Sequence, residues 1–234
     1  MTFRSALFVA HPGHELRLHH WLEVERPIVY VLTDGSGRSG KPRTAASREL
    51  LARCGATPGP IFGRFTDREL YALLLSGDVA PIAAVVEELA HDLRAHGVQM
   101  VVGDAWELYN PAHDLCRVML DLVAGAMANY EIGDGDVTLT LDDDALARKL
   151  ASARRYDVLR AEMDGALERE GIDALRFEKL RRARPPHPPA VMADYELFGA
   201  ERVASGHYAT VIRYREHFAP LVAQLAEALQ PAPA

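Results

Sequence analysis

The sequence predicts an α/β fold in which a mostly parallel sheet is covered by helices on both faces. Two observations carry that expectation: three continuous apolar runs of strand length, and helical periodicity in the segments between them. Continuous rather than alternating apolar runs fit strands buried on both faces. Strand, helix and strand in alternation give a doubly wound sheet, a Rossmann-like three-layer sandwich. The chain has 234 residues, of which 49% are apolar and 25% charged, proportions that suit one globular unit with a sizeable core.

The first run, Ser5 to Ala10, stops at His11-Pro12-Gly13. The second, Pro27 to Thr33, is rich in β-branched residues and stops at Asp34-Gly35-Ser36-Gly37, and the third, Val98 to Gly103, stops at Asp104. Thr44 to Arg53, Asp67 to Leu75 and Val79 to His96 carry apolar residues at three- and four-residue intervals and read as helices. Pro111 to Asn129 reads as a long helix opened by a proline suited to a first helical position. Asp136 to Leu141 alternates like a late edge strand, and Asp142 to Glu170 reads as a long charged helix. Arg184 to Pro189 is a stiff polyproline connection, Gly206 to Leu229 is helical again, and the Pro231 to Ala234 tail is expected to fray. The whole reads as a single domain: residues 1–130 form the core, and 131–234 a helical C-terminal extension.

Charge and cysteine content narrow the partners. Lys plus Arg number 26 against 33 Asp plus Glu, a net charge of -7, so a polyanion such as nucleic acid is repelled at long range. No apolar run is long enough to span a bilayer, and the N-terminus lacks the layout of a signal peptide. Two distant cysteines, Cys54 and Cys116, form neither a disulfide framework nor a thiolate metal pattern, which points to a reducing, cytoplasmic setting. The oligomeric state stays open, a homo-oligomer included.

Ligands bind at the carboxyl ends of the strands in a parallel α/β sheet. Here those ends read His11-Pro12-Gly13-His14-Glu15, Asp34-Gly35-Ser36-Gly37 and Asp104-Ala105-Trp106-Glu107, the last continuing to Tyr109-Asn110-Pro111-Ala112-His113-Asp114. One sheet edge therefore gathers three histidines and several carboxylates. Neutral imidazole is the commonest metal ligand, and His11 and His14 bracket a single turn. A third ligand from a distant strand end would complete a catalytic zinc set with one position open. His19, His20, His91 and His96 read as solvated helix residues, Asp34 as turn chemistry or a contact to a histidine of the site, and Arg38 as a loop arginine.

These segments, in this order, resemble the LmbE/PIG-L group of metal-dependent N-deacetylases. That group opens with a strand and AHPDDE, continues with a strand ending in TDG and a following arginine, and later carries HPDH at a helix start. Here the corresponding stretches are AHPGHE (Ala10 to Glu15), LTDGSG (Leu32 to Gly37) followed by Arg43, and NPAHD (Asn110 to Asp114), covering about the first 130 residues. The resemblance implies metal ligation by His11, His14 and His113, with Zn2+ as the default ion and iron, cobalt or nickel compatible with the same donors. The group's general base falls on Gly13, which cannot take a proton. Three neutral ligands offset part of that loss, since they leave a bound water with a pKa near ~7.

Glu15, Asp104 and Asp114 are the candidate catalytic carboxylates, with Glu107 beside them. Arg43, Asn110 and Glu107 are the candidate substrate contacts. The expected activity is hydrolysis of an amide, removing acetyl from a small N-acylated amino sugar or glycoconjugate. The rival expectation is a metal- or sugar-binding protein that kept the fold and lost the base at Gly13. A dinucleotide site is not expected, because no GxGxxG follows the first strand.

Overall fold

The structure, a computed structural model, describes residues 4–37, 40–156, 165 and 171–230. Six strands form one sheet in the order β3-β2-β1-β4-β5-β6. They are β1 (Ser5–Val9), β2 (Ile28–Thr33), β3 (Thr57–Phe65), β4 (Met100–Gly103), β5 (Ala128–Thr140) and β6 (Phe177–Arg182). Strands β1 to β5 pair in parallel, and β6 runs antiparallel against β5 at the edge. Chain order reverses between β1 and β4, so the crevice at their carboxyl ends is the switch point where such sheets take ligands.

Side chains alternate across the sheet and define its two covered faces. Leu7, Val9, Val29 and Val31 pack against α1 (His19–Glu25), α2 (Thr44–Cys54) and the end of α6 (Asp143–Arg154). Phe8, Tyr30 and Leu32 pack on the other face against α3 (Asp67–Ser76), α4 (Ala80–Ala95), α5 (Pro111–Ala124) and α8 (Ala219–Ala228). Each fully buried leucine contributes about 1.5–3 kcal/mol of burial. The central strand is uniformly buried, which is why β1 reads as an unbroken apolar run.

Several elements differ from the sequence expectation. β3 escapes notice because Pro58, Gly59, Pro60 and Gly63 interrupt it, residues that an edge strand tolerates. The helix expected over 111–129 stops at Ala124, where Gly125 takes a positive φ. Asn129 is therefore in β5, whose first residues pair with β4 while Val137 to Thr140, within the predicted 136–141 strand, pair with β6 alone. The segment after 130 is thus not a helical extension alone, because β5 and β6 complete the sheet.

α6 ends at Arg154, and Tyr156 turns into the core; most of the predicted continuation to Glu170 lies outside the described residues, as do Arg38 and the 231–234 tail. α7 (Asp194–Ala204) precedes an irregular stretch, a π-helical turn at Tyr214–Phe218 and then α8. No single helix among the described residues is long and apolar enough to cross a membrane.

Candidate functional site

The turn after β1 carries two of the expected ligands. His11 and His14 lie on either side of Gly13, whose φ of 113° is a left-handed value that glycine adopts without cost. The N–H of Gly13 donates to Glu15 Oε2 at 2.7 Å. The other Glu15 oxygen accepts from the Tyr156 hydroxyl at 2.5 Å and from the Ser47 hydroxyl. Glu15 is fully buried in this network, so its carboxylate braces the turn from behind.

Asp104, at the end of β4, ties the same turn to the sheet. One oxygen accepts the Ala10 N–H at 2.7 Å, and the other lies 2.8 Å from His14 Nδ1. Burial favours the neutral acid, but the positive field and hydrogen bond of His14 outweigh it and hold the carboxyl well below the usual range. The carboxylate accepts from His14 Nδ1, so in the neutral ring Nε2 is the nitrogen with the lone pair.

His11 is oriented the same way. Its Nδ1 lies 2.8 Å from Thr33 Oγ1, and that hydroxyl donates in turn to the Ala10 carbonyl at 3.0 Å. Thr33 therefore accepts from Nδ1, and Nε2 of His11 is again the lone-pair nitrogen. Asp67 Oδ1 sits 3.1 Å from the same Nδ1 without a hydrogen-bond donor of its own, while Asp67 Oδ2 accepts the Gly37 N–H at 2.5 Å. Burial raises the Asp67 carboxyl, yet the His11 imidazole beside it and the Gly37 N–H bring it down to about 2. Sequence reasoning missed Asp67 because it missed β3, whose carboxyl end presents it.

The third histidine comes from the start of α5. Asn110 caps this helix by accepting the Ala112 N–H at 2.9 Å, and Pro111 follows at the first position. His113 then reaches the crevice with Nδ1 3.5 Å from Glu107 Oε2. Asp114 is buried and turns away, accepting the N–H groups of Glu107 at 2.9 Å and Leu108 at 3.2 Å through one oxygen. Burial pushes its carboxyl up to about 7 against the pull of those two donors. Its role here is to fix the loop after β4, whose Leu108 has a positive φ of 57°.

The structure brings the three imidazoles together. Ring centroids are 5.5 Å apart for His11 and His14, 5.3 Å for His11 and His113, and 4.5 Å for His14 and His113. Three imidazoles bound through Nε2 to one tetrahedral zinc place their centroids about 5 Å apart, given Zn–N bonds of about 2.0–2.1 Å. Each ring also has its Nδ1 at an oxygen partner, the arrangement that orients metal-binding histidines. No group of three or more donors among the described residues already meets the geometry of a metal cage. The fit therefore rests on the ring triangle, the donor chemistry and the outer partners.

The triangle opens into a cleft of about 1190 Å3 lined by His11, His14 and His113 with Asp67, Glu107 and Asn110. Arg43 also lines it, and its Nε donates to the Gly35 carbonyl at 2.6 Å. A Cβ on Gly35 would come within 2.7 Å of Arg43 and of Pro12, so this glycine admits the guanidinium. Glu15, Asp104 and Asp114 are not among the residues lining the cleft. Asp34 accepts the Ser36 N–H at 2.8 Å, a turn function as expected. His19, expected in solvent, is buried with Nε2 2.9 Å from Ser152 Oγ because α6 closes over α1.

No family model matches the chain, and neither does any curated protein. Solved structures share its fold. The deacetylase triple mutant Orf2*T of the teicoplanin biosynthetic pathway superposes with a TM-score of 0.56 and 11% identity, covering 77% of this chain and 98% of that one. The antimicrobial reagent A40926 pseudoaglycone deacetylase Dbv21 gives 0.55 and 13% over 79% and 100% of the respective chains. The zinc inhibited form of teicoplanin deacetylase Orf2 gives 0.52 and 10% over 87% and 94%. At these identities the likeness is one of fold: an α/β chain with a six-stranded, mostly parallel sheet.

Proposed function

We propose that this protein is a metal-dependent amide hydrolase, an N-deacetylase acting on an N-acetylated amino sugar or glycoconjugate. The observation that carries the reading is the triangle of His11, His14 and His113 in the switch-point crevice, with each Nδ1 at an oxygen partner. The deacetylases that share the fold support the reaction class. These three side chains would hold the ion, Zn2+ by default, which supplies a polarised carbonyl and an acidified water when bound.

The chain's own residues do the rest. Asp104 and Thr33 fix two of the rings in the tautomer that leaves Nε2 unprotonated. Gly13 offers no side chain to take a proton, and Glu15, Asp104 and Asp114 are committed to other donors away from the cleft. We assign proton transfer to Glu107, a cleft-lining carboxylate whose contact with His113 Nδ1 is long, at 3.5 Å. Asn110 and Arg43 border the same space and would hold polar groups of the sugar.

Release of amine from a panel of N-acetyl amino sugars by the metal-loaded protein tests the reading. Glu107→Gln should lower turnover by about 10²–10⁴-fold while metal content stays unchanged, the range for a lost general acid–base group. The empty base position at Gly13 favours a second reading, a metal- or sugar-binding protein without hydrolase activity. That reading predicts full metal occupancy and no amine from any member of the panel.

A further inference from the structure

The cleft has a cationic arm that the proposed chemistry does not use. Arg17, Lys149, Lys179 and Arg181 line it, on a chain whose net charge is -7. Arg17 belongs to the 3-10 helix His14–Leu18, where side chains three apart eclipse, so it lies on the same side as His14. Its carbonyl accepts from Lys149 Nζ at 3.2 Å, which ties this helix to α6. Among the described residues the exposed Arg17 side chain makes no ion pair and no hydrogen bond.

Lys179 and Arg181 stand on β6, beside a bulge in β5. Ile132 and Val137 both face Leu180, so Gly133 to Asp136 have no partner in the ladder. A Cβ on Gly133 would come within 3.3 Å of Arg181 Cζ, and one on Gly135 would collide with Arg181 Cβ. The two glycines therefore let the bulge lie against Arg181, and Asp134 between them pairs with Lys179 Nζ at 2.7 Å. Lys179 first, then Arg181 and Arg17, hold the Asp134 carboxyl below its ordinary value, so the three cations bear on one spot. The Arg17 charge also acts on Glu107, beside His113, which joins the arm to the histidine centre.

The other carboxylates of the arm are already matched. Glu131 takes Arg181 Nε at 2.5 Å, Glu178 takes Lys149 Nζ at 2.9 Å, and Glu107 faces His113. That leaves Arg17, Lys179 and the terminal nitrogens of Arg181 with Asp134 alone. The Asp134 side chain is 83% exposed, and an ion pair so open to water is weak and readily exchanged.

We infer that the substrate carries an anionic group, a carboxylate or a phosphate, which displaces Asp134 and seats between Arg17, Lys179 and Arg181. The inference rests on the sugar-amide reading of the histidine site and names the class of sugar, an acidic one. Guanidinium groups offer paired N–H donors that match two oxygens of either anion. Asp134 stands in for that anion while the cleft is empty.

The test measures calorimetric binding and amine release by the metal-loaded protein with N-acetylglucosamine, N-acetylglucosamine 1-phosphate and N-acetylmuramic acid. Wild type is compared with Arg17→Gln/Lys179→Gln and with Asp134→Asn. All three side chains are exposed, so the variants should fold like wild type. Wild type should bind at least one acidic sugar about tenfold more tightly than the neutral one, and the sugar that gains tells phosphate from carboxylate. The double variant should lose that preference. Asp134→Asn should widen it about threefold and leave binding of the neutral sugar unchanged, because a competing carboxylate is gone. Equal affinity for all three sugars in wild type overturns the assignment. So does a preference that survives the double substitution, as it would if the anion sat on the metal, or one that shrinks in Asp134→Asn. Preferential binding without amine release upholds the arm while rejecting the hydrolase; amine release with no preference does the reverse.

Discussion

The two sides of the histidine site are held by different means. On one side, the turn after β1 is locked to the sheet, with Asp104 taking both the Ala10 N–H and His14 Nδ1 while Glu15 takes the Gly13 N–H. On the other, His113 rides on the first turn of α5, and its partner Glu107 stands 3.5 Å away on a loop with strained backbone. The sheet side fixes donor atoms through buried carboxylates in short contacts. The loop side is looser and carries the residues placed to meet substrate. This division lets metal affinity and substrate fit be altered separately.

The largest expected effect lies on the sheet side. Asp104→Ala unties His14 and strands the Ala10 N–H, so metal affinity should fall about 10–100-fold and stability by about 1–3 kcal/mol. Metal titration and urea denaturation read the two losses together. Asp114→Ala should cost at least as much stability, about 1–3 kcal/mol for each of the two N–H groups left unpaired in the loop. Metal affinity should change far less than in Asp104→Ala, and an equal drop in both variants would erase the distinction between the two sides.

The smallest effect is expected at Gly13. Its φ of 113° makes Gly13→Asp cost about 1–2 kcal/mol in a left-handed conformation. Restoring the carboxylate of the AHPDDE pattern should therefore yield a less stable protein with no gain in amine release. A clear gain would show that the turn accepts a base there, and would return the proton role from Glu107 to this position.

Much of the sheet side is legible in the sequence because its strands are buried on both faces. Leu7, Val9, Val29, Val31 and Val102 leave unbroken apolar runs, and each run stops at residues of the site. The order of AHPGHE, LTDGSG and NPAHD then leads to the three histidines that the fold gathers. What could not be read is the work of long-range packing. β3 is disguised by its prolines and glycines, and Asp67 is hidden with it. Tyr156 looks like one more residue in a charged helix, yet it turns inward to bond Glu15. Asp104 and Asp114 look alike as acids near a strand end; only the fold separates the brace of His14 from the clamp on Leu108. β6, with the sequence FEKLRR, carries no apolar run and forms by completing the edge beside β5.

The most direct measurement is the metal content and zinc affinity of wild type beside His11→Ala, His14→Ala and His113→Ala, with folding checked by circular dichroism. Wild type should hold about one transition ion per chain, and each variant should lose most of it, since a three-ligand catalytic site loses a third of its protein donors. A wild-type protein that binds no ion, or a His14→Ala protein with full occupancy, would contradict the three-histidine centre.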